Sequence, residues 1–177
     1  MLLSRTADSL FWTARYIERA ENTARLLDAA TRLSNVGPGD SEPSNEWESA
    51  VLATGMEDLF EERYGEATSR SVVDFLAFSE ANPSSIRQCL EAARANARSV
   101  RTAITIEMWE TINAAWLELK RYRTFGQSRG ELLEFLRFVK QVALSVHGIA
   151  HRPMLPNDGH PFFQLGSALE PADHTAR

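Results

Sequence analysis

At 177 residues with 44% hydrophobic side chains, the chain is long enough to bury one substantial core. Its net charge of −5 argues against a general nucleic-acid role, since the arginines alternate with acids and form no basic block. Cys89 is the single cysteine, which excludes an internal disulfide, and no signal-like leader or long apolar run is present, so a cytoplasmic protein without a membrane span is expected.

The first helix is predicted to begin at Ser4 or Thr6, either of which can cap it, and to run to about Leu33. Leu10, Thr13, Ile17, Ala20, Ala24 and Leu27 recur at helical spacing and form its core face. Residues 35–45, NVGPGDSEPSN, read as an exposed loop, because Gly, Pro, Ser and Asp all favour turns. A short helix over about Glu46–Thr54 ends at Gly55, and Met56–Ser69 is expected to hold one further helical turn before Gly65. SVVDFLAF, Ser71–Phe78, has the pattern of a strand; without a partner strand it reads as a short buried helix.

Asn82-Pro83-Ser84-Ser85 restarts the chain into a helix over about Ser85–Ile104, with Ser85 as the cap. The next helix covers about Glu107–Lys120, and Phe125–Ser128 is a turn. Glu131–Val146 is the most apolar helix, with only a narrow polar strip, and is expected at the centre of the bundle. Gly148–Gly159 reads as a loop, followed by a last helix from about Pro161. Together these elements predict one all-α domain over residues 1–177, an irregular bundle of about six or seven helices.

The end of the chain repeats its beginning. FWTARYIERAENTAR, Phe11–Arg25, matches FQLGSALEPADHTAR, Phe163–Arg177, at Phe11/Phe163, Glu18/Glu170, Ala20/Ala172, Thr23/Thr175, Ala24/Ala176 and Arg25/Arg177. At about 100° per residue, Phe11, Glu18 and Arg25 share one stripe of a helix. The first and last helices are therefore expected to lie side by side. A weaker echo at Glu91–Arg98 holds Ala93 and Ala97 four apart, which reads as close helix packing.

The polar side chains of this repeat are the candidate site: Arg15, Glu18, Arg19, Glu21, Asn22 and Arg25, with Glu170, Asp173, His174 and Arg177. Three readings stay open. Glu21–Arg25 and Asp173–Arg177 are acid-to-base pairs four apart, each worth about 0.2–0.5 kcal/mol on an ordinary solvated surface. The repetition instead fits a structural polar layer shared by two matched helices. The third reading is a functional site. Its sharpest version is a metal held by Glu18, Glu21, Glu170 and Asp173 with His174, as in carboxylate-bridged bundles. Against it, Glu170 and His174 are four apart rather than three, Asn22 stands where the second copy has His174, and Arg25 and Arg177 would repel a cation. No metal or other cofactor is expected. His147, His151 and His160 match no zinc spacing and read as solvated loop histidines. Trp12, Trp47, Trp109 and Trp116 read as core anchors, and Cys89 as a small core residue. No phosphate-binding loop, dinucleotide fingerprint or nucleophile elbow is present.

The opening LSRTADSLFWTARYIERAENTARLLD closely resembles the bacterial alpha-E domain family (DUF403), whose recurrent E-R motif matches Glu18-Arg19 here. The resemblance continues through WESAVLATG, NPSSIRQCLEAARANARSVR, EMWETINAAWLEL and the final ALEPADHTAR. It implies an all-helical protein found beside, or fused to, a circularly permuted ATP-grasp-like protein and a transglutaminase-like protein. Such neighbours imply an accessory role in a peptide- or amide-bond-forming system. The resemblance carries over no catalytic residue. Family members usually continue past the second motif helix, so it also implies a C-terminally truncated member whose uncovered apolar faces favour a homo-oligomer. The second copy has Pro171 where the first has Arg19, and a kink near Leu169 or a restart at Pro171 is expected.

The leading expectation is a non-catalytic binding or assembly module that meets the ATP-grasp-like partner through Arg15, Glu18, Arg19, Asn22 and Arg25. The alternative is an enzyme subunit acting on a peptide or acyl-phosphate, with arginine gripping an anion and Glu18 as general base.

Overall fold

The computed structural model describes residues 4–34, 45–122, 128–151 and 159–176. The loop expected over 35–45 falls outside these residues except for Asn45, as does most of the turn at Phe125–Ser128. Among the described residues there are eight α-helices and no strand: α1 (Ser4–Leu33), α2 (Glu46–Leu52), α3 (Glu57–Arg63), α4 (Ser69–Val73), α5 (Ile86–Ser99), α6 (Ile106–Leu119), α7 (Arg129–His151) and α8 (His160–Ala176).

Side-chain caps set several of the starts. Asn45 accepts from the backbone N–H groups of Trp47 and Glu48 at α2, and Ser85 and Thr105 do the same for Gln88 and Met108 at α5 and α6. Gly55 and Gly65 take positive φ values of 65° and 72° just after α2 and α3. That left-handed backbone commonly ends a helix, and it carries a penalty for residues with a Cβ. The apolar run that resembles a strand is helical throughout. α4 continues into a π-helical turn, Asp74–Phe78, that buries Phe75, Leu76 and Ala77. Asn82 fastens its end, donating from Nδ2 to the Phe75 carbonyl at 3.1 Å and accepting from the Ser84 N–H at 2.9 Å.

The centre of the bundle is α1, where the sequence pattern favours Glu131–Val146. α1 packs against α5, α7 and α8 and touches α2. Its small residues explain the exchange: Ala14, Ala20 and Ala24 let neighbouring helices approach on several sides. α7 is amphipathic instead, with Leu132, Phe135, Leu136, Val139, Val142, Ala143 and Val146 buried and Leu144 exposed. It also runs on to His151, so the loop expected from Gly148 begins later. Ala93 and Ala97 of α5 are fully buried, in keeping with close packing.

α8 lies along α1, and the two run parallel. Gly166 sits against Phe11 and Ala14, and Glu170, one turn further on, sits against Arg15 and Arg19. Gly166 and Ala14 are counterparts in the repeat, so matched positions share one height. The approach is close because of Gly166: a Cβ there would overlap the Phe11 carbonyl oxygen and stand 3.0 Å from the Ala14 Cβ. α8 is continuous through Pro171, so the expected restart is absent. The ion pairs of Glu170 and Asp173 with α1 flank the proline and hold that turn in place. On the outer face of α8, Phe162, Leu165 and Leu169 are exposed.

Candidate functional site

The candidate polar stripe divides between two neighbouring faces of α1. Arg15, Arg19 and Asn22 recur at four and three residues and face α8; Glu18, Glu21 and Arg25 recur at three and four and lie toward α7. Each face meets a different partner.

Toward α8, Glu170 is only 5% exposed and takes both guanidiniums. Arg19 donates from Nε to Oε1 at 2.6 Å and from Nη2 to Oε2 at 3.1 Å, a two-point grip. Arg15 Nε stands 2.6 Å from Oε2 as an ion pair, and its Nη2 lies 3.6 Å from Asp173. The Trp12 and Tyr16 rings cover the guanidinium faces, with centroids 5.9 Å from Arg15 Cζ and 5.8 Å from Arg19 Cζ. Burial works against the Arg19 charge, but the hydrogen bond and the negative charge of Glu170 together outweigh it and raise its pKa above the ordinary guanidinium value. A cavity of about 180 Å³ opens beside this pair, lined by Arg19, Asn22, Asn82, Ser84, Glu170 and Asp173 among others. The Asn22 Nδ2 is shielded from solvent and has no hydrogen-bond partner among the described residues.

Toward α7, His147 Nε2 lies 2.8 Å from Glu18 Oε1. Contact with the Glu18 carboxylate is the main cause of a raised His147 pKa, against the opposing effect of burial. Glu21 receives Arg25 Nε at 2.9 Å and Nη2 at 2.5 Å, both on Oε1. Two turns from His147 on α7, Lys140 reaches Asp28 Oδ2 at 2.7 Å, and Arg32 holds both Asp28 oxygens at 3.1 Å. Burial alone would raise the Asp28 carboxyl; the hydrogen bonds from Arg32 and Lys140 outweigh it and leave the pKa below the ordinary aspartate value.

This geometry corrects several sequence expectations. His147 is a helical residue packed on Glu18, not a solvated loop histidine, because α7 extends past it. The set Glu18, Glu21, Glu170 and Asp173 is not one cluster: Glu170 and Asp173 are held by arginines on the α8 side. The side chains of His174 and Arg177 lie outside the described residues. Most of the stripe is internal; Arg25 is its exposed end, with 65% of its side chain accessible. Trp47 is buried, while Trp109 is partly buried beneath the guanidiniums of Arg94 and Arg101. Sequence reasoning missed Asp28, Lys140 and His147 as one seam. The signal was present, since Lys140 and His147 are seven apart and share a face of α7.

The fold and site define an all-helical domain whose first and last helices are clamped by a buried glutamate–arginine pair. The chain belongs to the Alpha-E family, described as a predicted alpha-helical domain with a conserved ER motif, whose model matches residues 2–177. No curated protein and no solved structure matches it. Glu18-Arg19 is an adjacent Glu-Arg pair in α1. Its two residues point to different neighbours, Glu18 to α7 and Arg19 to α8. No described helix is long and apolar enough to cross a membrane.

Proposed function

We propose that the chain is a helical binding and assembly module, accessory to a peptide- or amide-bond-forming system. Its proposed partners are a circularly permuted ATP-grasp-like protein and a transglutaminase-like protein. The observation that carries this reading is the pairing of the carboxylates. Glu170 is held by Arg15 and Arg19, Glu18 by His147, and Glu21 by Arg25. A general base needs a proton-accepting oxygen open to substrate, and a carboxylate neutralised inside a helix interface is a poor one. Cys89 is equally unsuited to nucleophilic attack, since burial pushes its thiol up to about 12. Arg25, the exposed end of the stripe, is the side chain best placed to meet a partner.

Size-exclusion chromatography with light scattering, with and without the ATP-grasp-like protein, tests this. A stable complex that Arg25→Ala weakens supports the reading; a monomer that ignores the partner counts against it. The same run reads self-association, which the exposed Phe162, Leu165 and Leu169 of α8 would favour.

The cavity of about 180 Å³ favours a second reading, an enzyme subunit whose Arg19 and Asn22 bind a small peptide-like or acyl-phosphate group. Soaking the protein with such fragments and following the Asn22 side-chain amide by NMR separates the two.

A further inference from the structure

Glu18 and Glu21 of α1, each paired through one oxygen, stand with His147 of α7 as a set of possible metal donors. Glu18, Glu21 and His147 place one ligand atom each within 4.8 Å of one another. Glu18 and Glu21 are each 13% exposed in their side chains, so the set is sheltered. It bridges two helices, with a carboxylate pair at i and i+3 on α1 facing an imidazole on α7.

The contacts within this set are one-sided. His147 meets Oε1 of Glu18, and Arg25 places both of its donors on Oε1 of Glu21. The Oε2 atoms of both residues have no hydrogen bond among the described residues and remain as acceptors.

We propose that Glu18, Glu21 and His147 form a binding site for a divalent transition-metal ion of the zinc class. One imidazole nitrogen and two carboxylate oxygens suit that class in both donor type and number. Zinc takes such ligands at about 2.0–2.2 Å, so donors in a tetrahedral shell stand roughly 3.3 Å apart. Ligation requires the carboxylates to turn toward the imidazole and close that spacing. The ion needs His147 neutral and both acids ionised. Two negative charges then balance its two positive ones, with Arg25 left as an outer partner on Glu21. A fourth position stays open to water. Bound metal would tie α7 to α1 beside the Glu18-Arg19 pair.

The full-length chain, stripped with a chelator and titrated with zinc chloride by calorimetry, tests the site. Saturable binding of one ion per chain is expected, with a higher melting temperature in zinc. Loss of outer-shell partners already weakens metal sites by about 10–100-fold, so removing a direct ligand should weaken binding at least about tenfold. His147→Ala and Glu21→Gln should both do so, while His160→Ala should bind like the parent. Where His147→Ala does not fold, Glu21→Gln, which keeps the side-chain shape, decides. Absence of saturable binding overturns the proposal. So does unchanged affinity in Glu21→Gln or in folded His147→Ala, because the ion would then sit elsewhere.

Discussion

Glu170 in the last helix grips Arg19 in the first across 151 residues of chain, with its two oxygens matched to two guanidinium nitrogens. A symmetric use of the repeat would place an arginine at position 171 to meet Glu18. Pro171 stands there instead, and Glu18 turns to His147 on α7. The same sequence motif therefore serves two different packing jobs, one in each copy.

Removing one member of that clamp should be costly. Glu170→Ala leaves two arginines partly buried without their shared counter-charge, and loss of one partner of a buried pair costs about 3–5 kcal/mol. Urea unfolding measures it. A loss below about 1 kcal/mol, the range of surface pairs, would mean that water reaches the pair freely.

Gly166 is the point of closest approach between α1 and α8. Gly166→Ala gains about 1 kcal/mol of helix propensity but drives a Cβ into the Phe11 carbonyl oxygen. Overpacking against backbone costs about 1–3 kcal/mol, so net destabilisation is expected. A raised melting temperature for this variant would contradict the parallel close packing.

Pro171→Ala should act in the opposite direction. Position 171 is exposed and lies inside α8. Replacing proline supplies an N–H, and the difference between the two residues within a helix approaches about 3 kcal/mol. A stability gain of about 1–3 kcal/mol in chemical denaturation is expected, and an unchanged midpoint would show that the local backbone already accommodates the ring.

Acid should weaken the seam between α1 and α7 through Asp28. Its folded pKa lies below the ordinary value of 3.8, so the folded state binds fewer protons there than the unfolded chain. The contribution is complete above that value and disappears as pH falls through the lower, folded one. In Asp28→Asn it should be missing at neutral pH, and the gap between parent and variant should narrow below about pH 4. A gap that stays constant down to the lowest folded pH would refute the assignment.

Cys89 should be silent to thiol reagents in the folded protein. Burial pushes its thiol up to about 12, leaving little thiolate at neutral pH. Reaction with a disulfide reagent should wait for denaturant, and rapid labelling of the native chain would show that α5 opens from α1.

The sequence by itself determined the helical class and most element limits, because both rest on local physics. Apolar residues at helical spacing, the Ser85 cap and the Asn82-Pro83 restart act within a few residues of where they stand. The matched stripes, Phe11/Phe163 and Glu18/Glu170 among them, also led to the expectation that the first and last helices lie side by side, and α8 packs against α1. The tertiary structure alone decided what each charged residue would meet. Arg19 and Glu18 are adjacent in sequence but about 100° apart around the helix, so they face different neighbours. Which neighbours depends on α7 running on to His151 and on α8 continuing through Pro171. The choice of α1 as the central helix is likewise a tertiary outcome. Alanines say little about burial when read singly, but they permit close approach on several sides at once.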